Sequence, residues 1–449
     1  MHRPNSSPTT LQLNRRSSLP DAIPLNPRRR DVVGLFGAAA VAGALPSIAR
    51  AGAGGIPARV VVIGGGFAGA TVAKYLRLWG GGIRVTLVER NTDFVSCPMS
   101  NRVLVGRASI AGLTFGYGEL VRKHGVRVVN DTATDIDPER RSVTLTSGKT
   151  LGYEHLVVAP GIELDYSSIP ALVDEAARGD ILHAWKAGEQ TVALRRQLES
   201  MPDGGVFAIT IPKAPYRCPP GPYERACLVA WYLRENKPKS KVLILDANDK
   251  VASKEALFRK AWADLYPGIV EYLPNSELVD VDVATRTAKL QFDDVKADVL
   301  NVIPPMKAGV LAARAGLITA NNKWCGVDFL TYESVARKHI HVLGDAILAG
   351  PLMAKSAHMA NQQAKVCAAA IIAMVHGEAV NPAPVINNTC YSYVDATDAI
   401  HIASVHAYDA DQKQMMPVPG SGGLSDAPSE LEGRYAEGWA QNMWADSFG

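Results

Sequence analysis

Six cysteines in a chain of 449 residues are the side chains with the clearest redox chemistry. Cys218 stands in a proline-rich loop, directly after Arg217 and shortly before a predicted helix. A neighbouring cation and a helix N-terminus both favour the thiolate, the nucleophilic form of cysteine. Cys218 is therefore a candidate redox residue. The alternative is that it has only a structural role in its loop. No Cys-x-x-Cys-His sequence occurs, so a c-type haem would have to belong to another polypeptide.

A redox cysteine needs a partner, and the sequence offers two. Cys325 and Cys390 are rival partners for Cys218, and the residues alone do not decide between them. Cys227 and Cys367 fall inside apolar helical stretches, where packing is the expected role.

A glycine-rich loop indicates phosphate binding. Residues Gly64-Gly65-Gly66-Phe67-Ala68-Gly69 match the pattern G-x-G-x-x-G. Gly64 permits a tight turn, Gly66 lets a pyrophosphate approach the backbone, and Gly69 lets helix and strand pack closely. The phosphates, flanked by Phe67 and Ala68, would accept hydrogen bonds from free N–H groups at the positive end of the helix dipole.

The elements around this loop complete a βαβ unit. Strand Val60–Ile63 precedes the loop, helix Ala68–Trp79 follows it, and strand Val85–Glu89 closes the unit. Glu89, next to Arg90, is placed to accept the ribose hydroxyls of a dinucleotide. A surface glutamate after an ordinary tight turn is the alternative.

Two later segments return to this unit and favour FAD over NAD. Leu156–Gly161 is a hydrophobic strand that ends at Pro160-Gly161 and resembles a motif of flavin disulfide reductases. His341-Val342-Leu343-Gly344-Asp345 resembles their second flavin motif, in which the aspartate binds the ribityl chain. A simple helix cap is the alternative role for Asp345. Helix Met359–Val375 follows.

A second α/β unit lacks the glycine loop that NAD(P)H would need. Strand Gly205–Ile211 leads into Pro212–Pro222, a proline-rich loop, before helix Tyr223–Arg234 and strand Lys241–Asp246. Prolines have neither the N–H donors nor the conformational freedom of a pyrophosphate cradle. A nicotinamide site is therefore not expected, which argues against a type II NADH dehydrogenase.

The chain resembles the flavoprotein subunit of flavocytochrome c sulfide dehydrogenase, a family related to sulfide:quinone oxidoreductases. The resemblance covers residues 58–449 and rests on motifs in the expected chain order: Ser96-Cys97-Pro98-Met99-Ser100-Asn101, Tyr216–Glu224, Pro304–Gly309, Gly344-Asp345 and Thr389-Cys390-Tyr391-Ser392.

The resemblance implies roles for these residues. Cys97 would hold the flavin through a thioether, although a buried free thiol is the alternative. Cys218 and Cys390 would form a redox-active disulfide, and Glu224 would move protons unless it only stabilises its helix. Asn101 and Lys307 would lie near the flavin.

The resemblance also implies hydrogen sulfide as substrate and a c-type cytochrome subunit as partner. A sulfide:quinone oxidoreductase is the alternative; scattered acids in the tail favour a soluble partner. An exported flavin protein without a substrate of its own is a further reading, against which the cysteines argue.

The fold class expected is α/β, with two Rossmann-like domains of the glutathione reductase type and a C-terminal interface domain. The expected divisions are 58–170 and 301–378 for FAD binding, 171–300 for the second Rossmann-like domain, and 379–449 for a flavin-covering and cytochrome-docking domain. A segment near Val126–Leu151 is expected to be antiparallel.

Residues 1–51 are predicted to be a twin-arginine signal that directs the protein to the periplasm, with an arginine-rich tail as the alternative. Arg29-Arg30 precedes a short, weakly apolar run and a small-x-small pattern at Ala49-Arg50-Ala51. No segment is long and apolar enough for a membrane helix. The formal charge is +3, and no basic stripe suggests nucleic acid; no metal site is expected.

Overall fold

A computed structural model describes residues 58–449, so the predicted signal at residues 1–51 lies outside the described part. The first elements are β1 (Arg59–Ile63), α1 (Phe67–Trp79), β2 (Arg84–Glu89), β3 (Asp93–Val95), α2 (Ser100–Leu104), β4 (Thr114–Gly116), α3 (Gly118–His124), β5 (Arg127–Asn130), β6 (Ala133–Asp137), β7 (Ser142–Leu145), β8 (Thr150–Gly152), β9 (His155–Val158) and β10 (Ile162–Leu164).

The middle of the chain contains α4 (Glu189–Ser200), β11 (Val206–Ile211), α5 (Gly221–Asn236), β12 (Lys241–Asp246), α6 (Glu255–Leu265), β13 (Val270–Leu273), β14 (Leu278–Asp282), β15 (Thr287–Leu290), β16 (Asp294–Lys296) and β17 (Val299–Val302). The remaining elements are β18 (Met306–Ala308), α7 (Val310–Arg314), β19 (Ile340–Val342), α8 (Ala357–His376), β20 (Val385–Tyr393), β21 (Ala399–Asp409), β22 (Gln414–Pro417), β23 (Gly423–Leu424) and α9 (Glu430–Phe448).

The first sheet is parallel and has the order β19-β9-β1-β2-β5. Its central strand β1 is buried on both faces, with Val60, Val61 and Val62 at most 3% exposed, as covered parallel strands are. Strands β9 and β19 come from the two returning segments, so the chain comes back to the first sheet as predicted.

The expected antiparallel segment between residues 126 and 151 is only partly correct. Strand β5 pairs with β2 in parallel, whereas β6, β7 and β8 form an antiparallel sheet. Helix α3 precedes β5 and carries the chain back across the sheet, the crossover that a parallel pair requires. Alternating hydrophobic residues indicate a strand, but they do not show whether it pairs with its neighbour in parallel or antiparallel.

The second sheet is a parallel four-stranded one, with the order β13-β12-β11-β17. The residues between β13 and β17 form a small antiparallel sheet, β14-β15-β16. The described residues thus contain two parallel sheets with helices between their strands, as the predicted fold class requires. The exact domain boundaries stay predictions.

The C-terminal region forms an antiparallel sheet of β20, β21 and β22, with β23 added to β21. Helix α9 leaves this sheet and packs on α1 of the first unit. There the Thr71 hydroxyl donates to the Ser447 hydroxyl at 3.0 Å, and the Phe67 and Phe448 ring centroids lie 5.7 Å apart. The tail is therefore fastened to the glycine-loop helix.

Candidate flavin and cysteine site

One large cavity, with a volume of about 1190 Å³, is lined by residues from the glycine-rich loop, the two returning segments, the proline-rich loop and the C-terminal region. The predicted site residues that line it are Gly64, Gly66, Phe67, Ala68, Glu89, Arg90, Cys97, Asn101, Pro160, Gly161, Cys218, Glu224, Gly344, Asp345 and Cys390. The fold thus brings the phosphate loop and three cysteines to one enclosed space.

The glycine-rich loop has the geometry that its sequence predicts. Gly64 has φ +96°, and a Cβ there would lie 2.2 Å from the Ala159 carbonyl oxygen. A Cβ on Gly69 would lie 1.7 Å from the Gly64 oxygen, so Gly69 permits close packing without lining the cavity. At Gly66 the nearest atom to such a Cβ is 3.7 Å away, and the backbone faces open space. A pyrophosphate therefore has room to approach this loop.

Glu89 is held at the edge of the cavity by hydrogen bonds from backbone N–H groups. Its Oε2 accepts from Gly65 N at 2.7 Å, and its Oε1 accepts from Asn91 N at 2.9 Å. The carboxylate is thereby oriented beside the loop, rather than free on the surface. Oε1 also accepts from Asn91 Nδ2 at 2.9 Å, so Oε2 is the oxygen that keeps a lone pair for a ribose hydroxyl.

Asp345 carries a buried oxygen, Oδ1, without a hydrogen-bond partner among the described residues. Burial raises the pKa of Asp345, while Arg217 and Lys355 oppose the increase. Helix α8 is capped by Ser356, whose hydroxyl accepts from Met359 N, so the helix-cap alternative for Asp345 is wrong. An orphaned acceptor in this cavity and the open cradle at Gly66 together fit a ligand with both hydroxyl and pyrophosphate groups, as FAD has.

The cysteines separate into two groups. Cys97, Cys218 and Cys390 line the cavity, whereas Cys227, Cys325 and Cys367 are completely buried in the core. All six are free thiols in this structure. Because Cys325 does not reach the cavity, the geometry favours Cys390 as the partner of Cys218. The disulfide between them stays a prediction.

The expectation of an activated Cys218 thiolate is not supported. Burial raises the pKa of the Cys218 thiol, and the charges of Cys390 and Glu224 raise it further. Arg217 lowers the pKa of Cys218. However, the negative groups that act most strongly on Arg217 are Cys97 and then Asp345, ahead of Cys218. The helix also begins only at Gly221. Desolvation therefore outweighs the local charge that the sequence suggested.

Cys218 adopts a backbone conformation that is rare for a residue with a side chain. Its φ is +57°, and its N–H donates to the Lys355 carbonyl at 2.9 Å. A Cβ on Gly221 would lie 2.9 Å from the Cys218 sulfur, so a glycine is needed there. Strained residues of this kind cluster at functional sites.

Glu224 lies one turn into α5 and faces the same cavity. Its Oε1 accepts from the Tyr393 N–H at 3.0 Å, and its Oε2 accepts from Asn101 Nδ2 at 2.9 Å. Burial raises the pKa of Glu224. The residue connects three segments of the chain and also lies in the first turn of its helix, so its proton-moving role stays a prediction.

Cys390 lies on β20 beside Asn388 and a buried lysine. Its sulfur is 3.5 Å from Asn388 Nδ2, and the Ser356 hydroxyl donates to Asn388 Oδ1 at 2.6 Å. Lys254 donates from Nζ to the Cys390 carbonyl at 2.8 Å. Sequence reasoning missed Lys254, since nothing near it in the chain points to a cysteine 136 residues away.

The structure does not place Lys307 among the residues that line the cavity. Its Nζ pairs with Asp165 Oδ1 at 3.1 Å, its side chain is 41% exposed, and it does not line the cavity. Strand β18 alternates, so its neighbours Met306 and Ala308 point inward and Lys307 points outward. Gly309, from the same motif, does line the cavity.

Aromatic residues of the tail cover the part of the cavity near Cys97. Phe448 stacks on Phe94 with ring centroids 4.9 Å apart, and Trp444 Nε1 donates to Ser96 Oγ at 2.9 Å. Tyr391 and Trp439 line the cavity directly. The C-terminal region is therefore well placed to cover a bound flavin.

The loop after β11 is filled by side chains instead of an open cradle. Tyr216 and Tyr223 are at most 2% exposed. Asp246, at the end of β12, accepts from the hydroxyls of Tyr223 at 2.7 Å and Tyr272 at 3.0 Å. The carboxylate that could have received a second ribose is thus already engaged, which favours the prediction of a lost nicotinamide site.

Three family models match successive parts of the chain. Residues 58–199 match the pyridine nucleotide-disulphide oxidoreductase model. Residues 191–304 match the central model of the sulfide dehydrogenase (flavocytochrome c) flavoprotein chain, and residues 382–448 match the flavin-binding model of flavocytochrome c sulphide dehydrogenase. A sulfide dehydrogenase (flavocytochrome c) flavoprotein chain from Chlorobaculum thiosulfatiphilum is 64% identical over 45 residues, which make up 94% of that sequence and 10% of this chain.

The chain belongs to the flavocytochrome c sulfide dehydrogenase flavoprotein family. The resemblance drawn from the sequence is confirmed. Together with the open cradle and the orphaned Asp345 oxygen, the match to a flavin-binding model supports FAD as the cofactor of this flavoprotein.

More distant relatives extend the likeness over most of the chain. The mitochondrial sulfide:quinone oxidoreductase of Mus musculus is 23% identical over 299 residues. The match spans 64% of this flavoprotein and 65% of the mouse protein. The solved sulfide:quinone oxidoreductase of Aquifex aeolicus superposes with a TM-score of 0.71 at 17% identity, over 87% of this chain and 91% of that one. This likeness confirms the fold.

Two kinds of feature are absent from residues 58–449. In that range no cluster of three or more His, Cys, Asp or Glu side chains is arranged to hold a metal ion. Nor does that range contain a helix with the length and apolar character needed to cross a bilayer.

Proposed function

We propose that this flavoprotein oxidises hydrosulfide to polysulfide or elemental sulfur, with Cys218 and Cys390 as its redox pair and FAD as their electron acceptor. One observation carries the proposal: both cysteines and Glu224 line the same cavity as the glycine-rich loop and Asp345. Sulfur chemistry and flavin binding would therefore share one enclosed space. The family supports the proposal, because its members are named sulfide dehydrogenases.

The sulfur steps follow from the two cysteines. Hydrosulfide attacks one sulfur of a Cys218–Cys390 disulfide; the S–S bond breaks, the attacked cysteine becomes a persulfide, and the electron pair leaves on the other as a thiolate. A second hydrosulfide takes the outer sulfur away as hydrodisulfide and leaves a thiol. Reforming the disulfide releases two electrons and a proton. Glu224, whose pKa is raised by burial, would accept that proton.

The chain's own residues would hold FAD along the cavity. The loop Gly64–Gly69 would bind the pyrophosphate, Glu89 a ribose, and Asp345 the ribityl hydroxyls. Bound FAD would accept the two electrons of the cysteine pair and pass them on singly. We further propose that Cys97 joins the flavin through a thioether, since its sulfur lines the cavity and lies 3.7 Å from the Trp185 carbonyl oxygen.

The electron acceptor is proposed to be a c-type cytochrome subunit, and the location the periplasm, reached through a twin-arginine signal in residues 1–51. The family name, flavocytochrome c, supports the partner. A quinone is the second candidate, because two relatives, matched over 299 and 303 residues, are sulfide:quinone oxidoreductases.

The function is tested by anaerobic titration with sulfide while flavin absorbance is recorded. We expect rapid bleaching of the wild type, and rates at least about 100-fold lower for Cys218→Ser and Cys390→Ser, because loss of a nucleophile removes the covalent route. Cys367→Ser, a buried core cysteine, serves as the control and should bleach at the wild-type rate. Equal bleaching of all four proteins, or ready reduction by NADH, would refute the proposal.

The acceptor is tested separately. Sulfide-reduced protein is mixed with cytochrome c in one cuvette and a short-chain quinone in another. Faster reoxidation by the quinone would replace the cytochrome proposal without affecting the sulfur chemistry.

A further inference from the structure

Lys254 combines two features that are unfavourable for a lysine. Its side chain is only 4% exposed, and its φ of +56° lies in the left-handed region. Lysine is almost never fully buried unless it is paired, and a side chain in the left-handed region costs conformational energy. Nothing in the sulfur steps above uses this residue. Its contacts must account for its position.

The ammonium of Lys254 is clamped onto the strand pair that carries Cys390. Its three donors reach the Cys390 carbonyl at 2.8 Å, the Ser392 hydroxyl at 2.9 Å and the Ile400 carbonyl at 3.3 Å. Ser392 and Ile400 are direct partners across β20 and β21. All three acceptors are neutral oxygens, so hydrogen bonding alone leaves the positive charge uncompensated.

The groups that could compensate this charge lie at the cysteine pair. Burial lowers the pKa of Lys254 to about 8, and the opposite charges that act against this decrease are, in order, those of Cys390, Glu224, Cys218 and Glu432. Cys390 faces Lys254, Asn388, Ser356 and Glu224, and of these only Lys254 is a cation. A cysteine sulfur lies within roughly 4.5 Å of its own carbonyl oxygen by covalent geometry. Lys254 Nζ is therefore within roughly 7 Å of the Cys390 sulfur.

We propose that Lys254 is a positioning residue of the redox pair, whose ammonium holds the Cys390 strand and supplies the positive charge that stabilises an anionic sulfur at Cys390. The charge favours Cys390 over Cys218 as the sulfur that carries the anion after the disulfide opens. The consequence for turnover rests on the proposed function. The effect on the reduced cysteine is a property of the chain alone.

The size of the effect follows from the distance. Two charges about 7 Å apart at an effective dielectric constant of about 20 shift a pKa by roughly one to two units. Removing the ammonium should therefore reduce the thiolate fraction of Cys390, below its pKa, by about 10- to 50-fold. Cys218 should change less, because Lys254 is the last-ranked influence on its thiol.

The test is alkylation of the reduced, flavin-loaded protein by iodoacetamide between pH 6 and about 10, with each cysteine followed by mass spectrometry. Lys254→Met should raise the apparent pKa of Cys390 alkylation by at least about one unit, whereas Ser392→Ala, which keeps the charge and removes one acceptor, should leave it within about 0.3 units. An unchanged Cys390 profile in a folded Lys254→Met protein would overturn the proposal. So would an equal shift in Ser392→Ala, which would make Lys254 a purely structural support.

If Lys254→Met does not fold, Lys254→Arg decides the question. Retained charge should keep the Cys390 profile within about half a unit of the wild type, and a shift above one unit would overturn the proposal. Sulfide titration of the wild type is a separate measurement. A protein that shows the alkylation shifts but ignores sulfide would leave the role of Lys254 intact and refute the proposed function instead.

Discussion

Removing the Asp345 carboxylate should stabilise the flavin-free protein and weaken its hold on FAD. The Oδ1 of Asp345 is buried without a partner among the described residues, and a buried unsatisfied polar atom costs about 1–3 kcal/mol. Asp345→Ala removes that cost and leaves no internal void, because the side chain faces the cavity. The flavin-free variant should therefore be about 1–3 kcal/mol more stable to unfolding.

The loss of affinity should be comparable in size. A hydrogen bond from a ribityl hydroxyl to a charged acceptor is worth about 1.5–3 kcal/mol, or roughly a 10- to 150-fold change in Kd. Opposite signs in the two measurements distinguish a binding residue from a packing residue. The same variant gains stability without ligand, and this gain is largely offset in saturating FAD.

The pH dependence of the stability of the flavin-free protein provides a second test of the role of Asp345. Burial raises the pKa of Asp345 above its ordinary value of 3.8. The folded flavin-free protein thus binds more protons than the unfolded chain between those two pKa values, and its stability falls as pH rises through that window. Asp345→Ala should lack this part of the decline, so its advantage should disappear at about pH 3.

The assay is urea unfolding of flavin-free protein together with FAD binding followed by fluorescence quenching. Both are carried out in a Cys97→Ser background, so that flavin exchanges freely. Asp264→Ala is the control, because its carboxylate forms an exposed pair with Lys260 and should change stability by under about 1 kcal/mol. A flavin-free Asp345→Ala protein that is less stable than its parent, or that binds FAD equally well, would refute the reasoning.

Other substitutions test the remaining assignments. Gly69→Ala would place a Cβ 1.7 Å from a backbone oxygen and should cost about 3 kcal/mol or more in thermal unfolding, whereas Gly438→Ala, with nothing within 4 Å, should cost nothing. Wild-type protein precipitated with acid should keep its yellow colour in the pellet, and Cys97→Ser should release it; release from the wild type would contradict the thioether. Lys307→Ala should leave the flavin content and the flavin spectrum unchanged, since this lysine is outside the cavity. Loss of flavin from this variant would show that Lys307 belongs to the flavin site.

The sequence by itself determined the features that depend on local backbone chemistry. The Gly64–Gly69 loop, the strand that ends at Glu89 and the two returning segments are each readable from neighbouring residues. A tight turn requires glycine, and a proline-rich loop cannot cradle phosphates, wherever the rest of the chain lies. For that reason the predicted fold class and the family resemblance were confirmed.

Only the tertiary structure decided which side chains share the cavity and what charge they carry. The sequence left both Cys390 and Cys325 as partners for Cys218. Only Cys390 lines the cavity with Cys218, because the packing of distant strands determines which sulfur lies there. The thiol of Cys218 has a raised pKa because burial, which no local sequence encodes, outweighs its adjacent arginine. The side chain of Lys307 points away from the cavity because residues alternate along its strand. The side chain of Lys254 is buried against Cys390, which lies in a distant segment of the chain. Side-chain direction and desolvation are properties of packed elements, and so they become visible only once those elements are assembled.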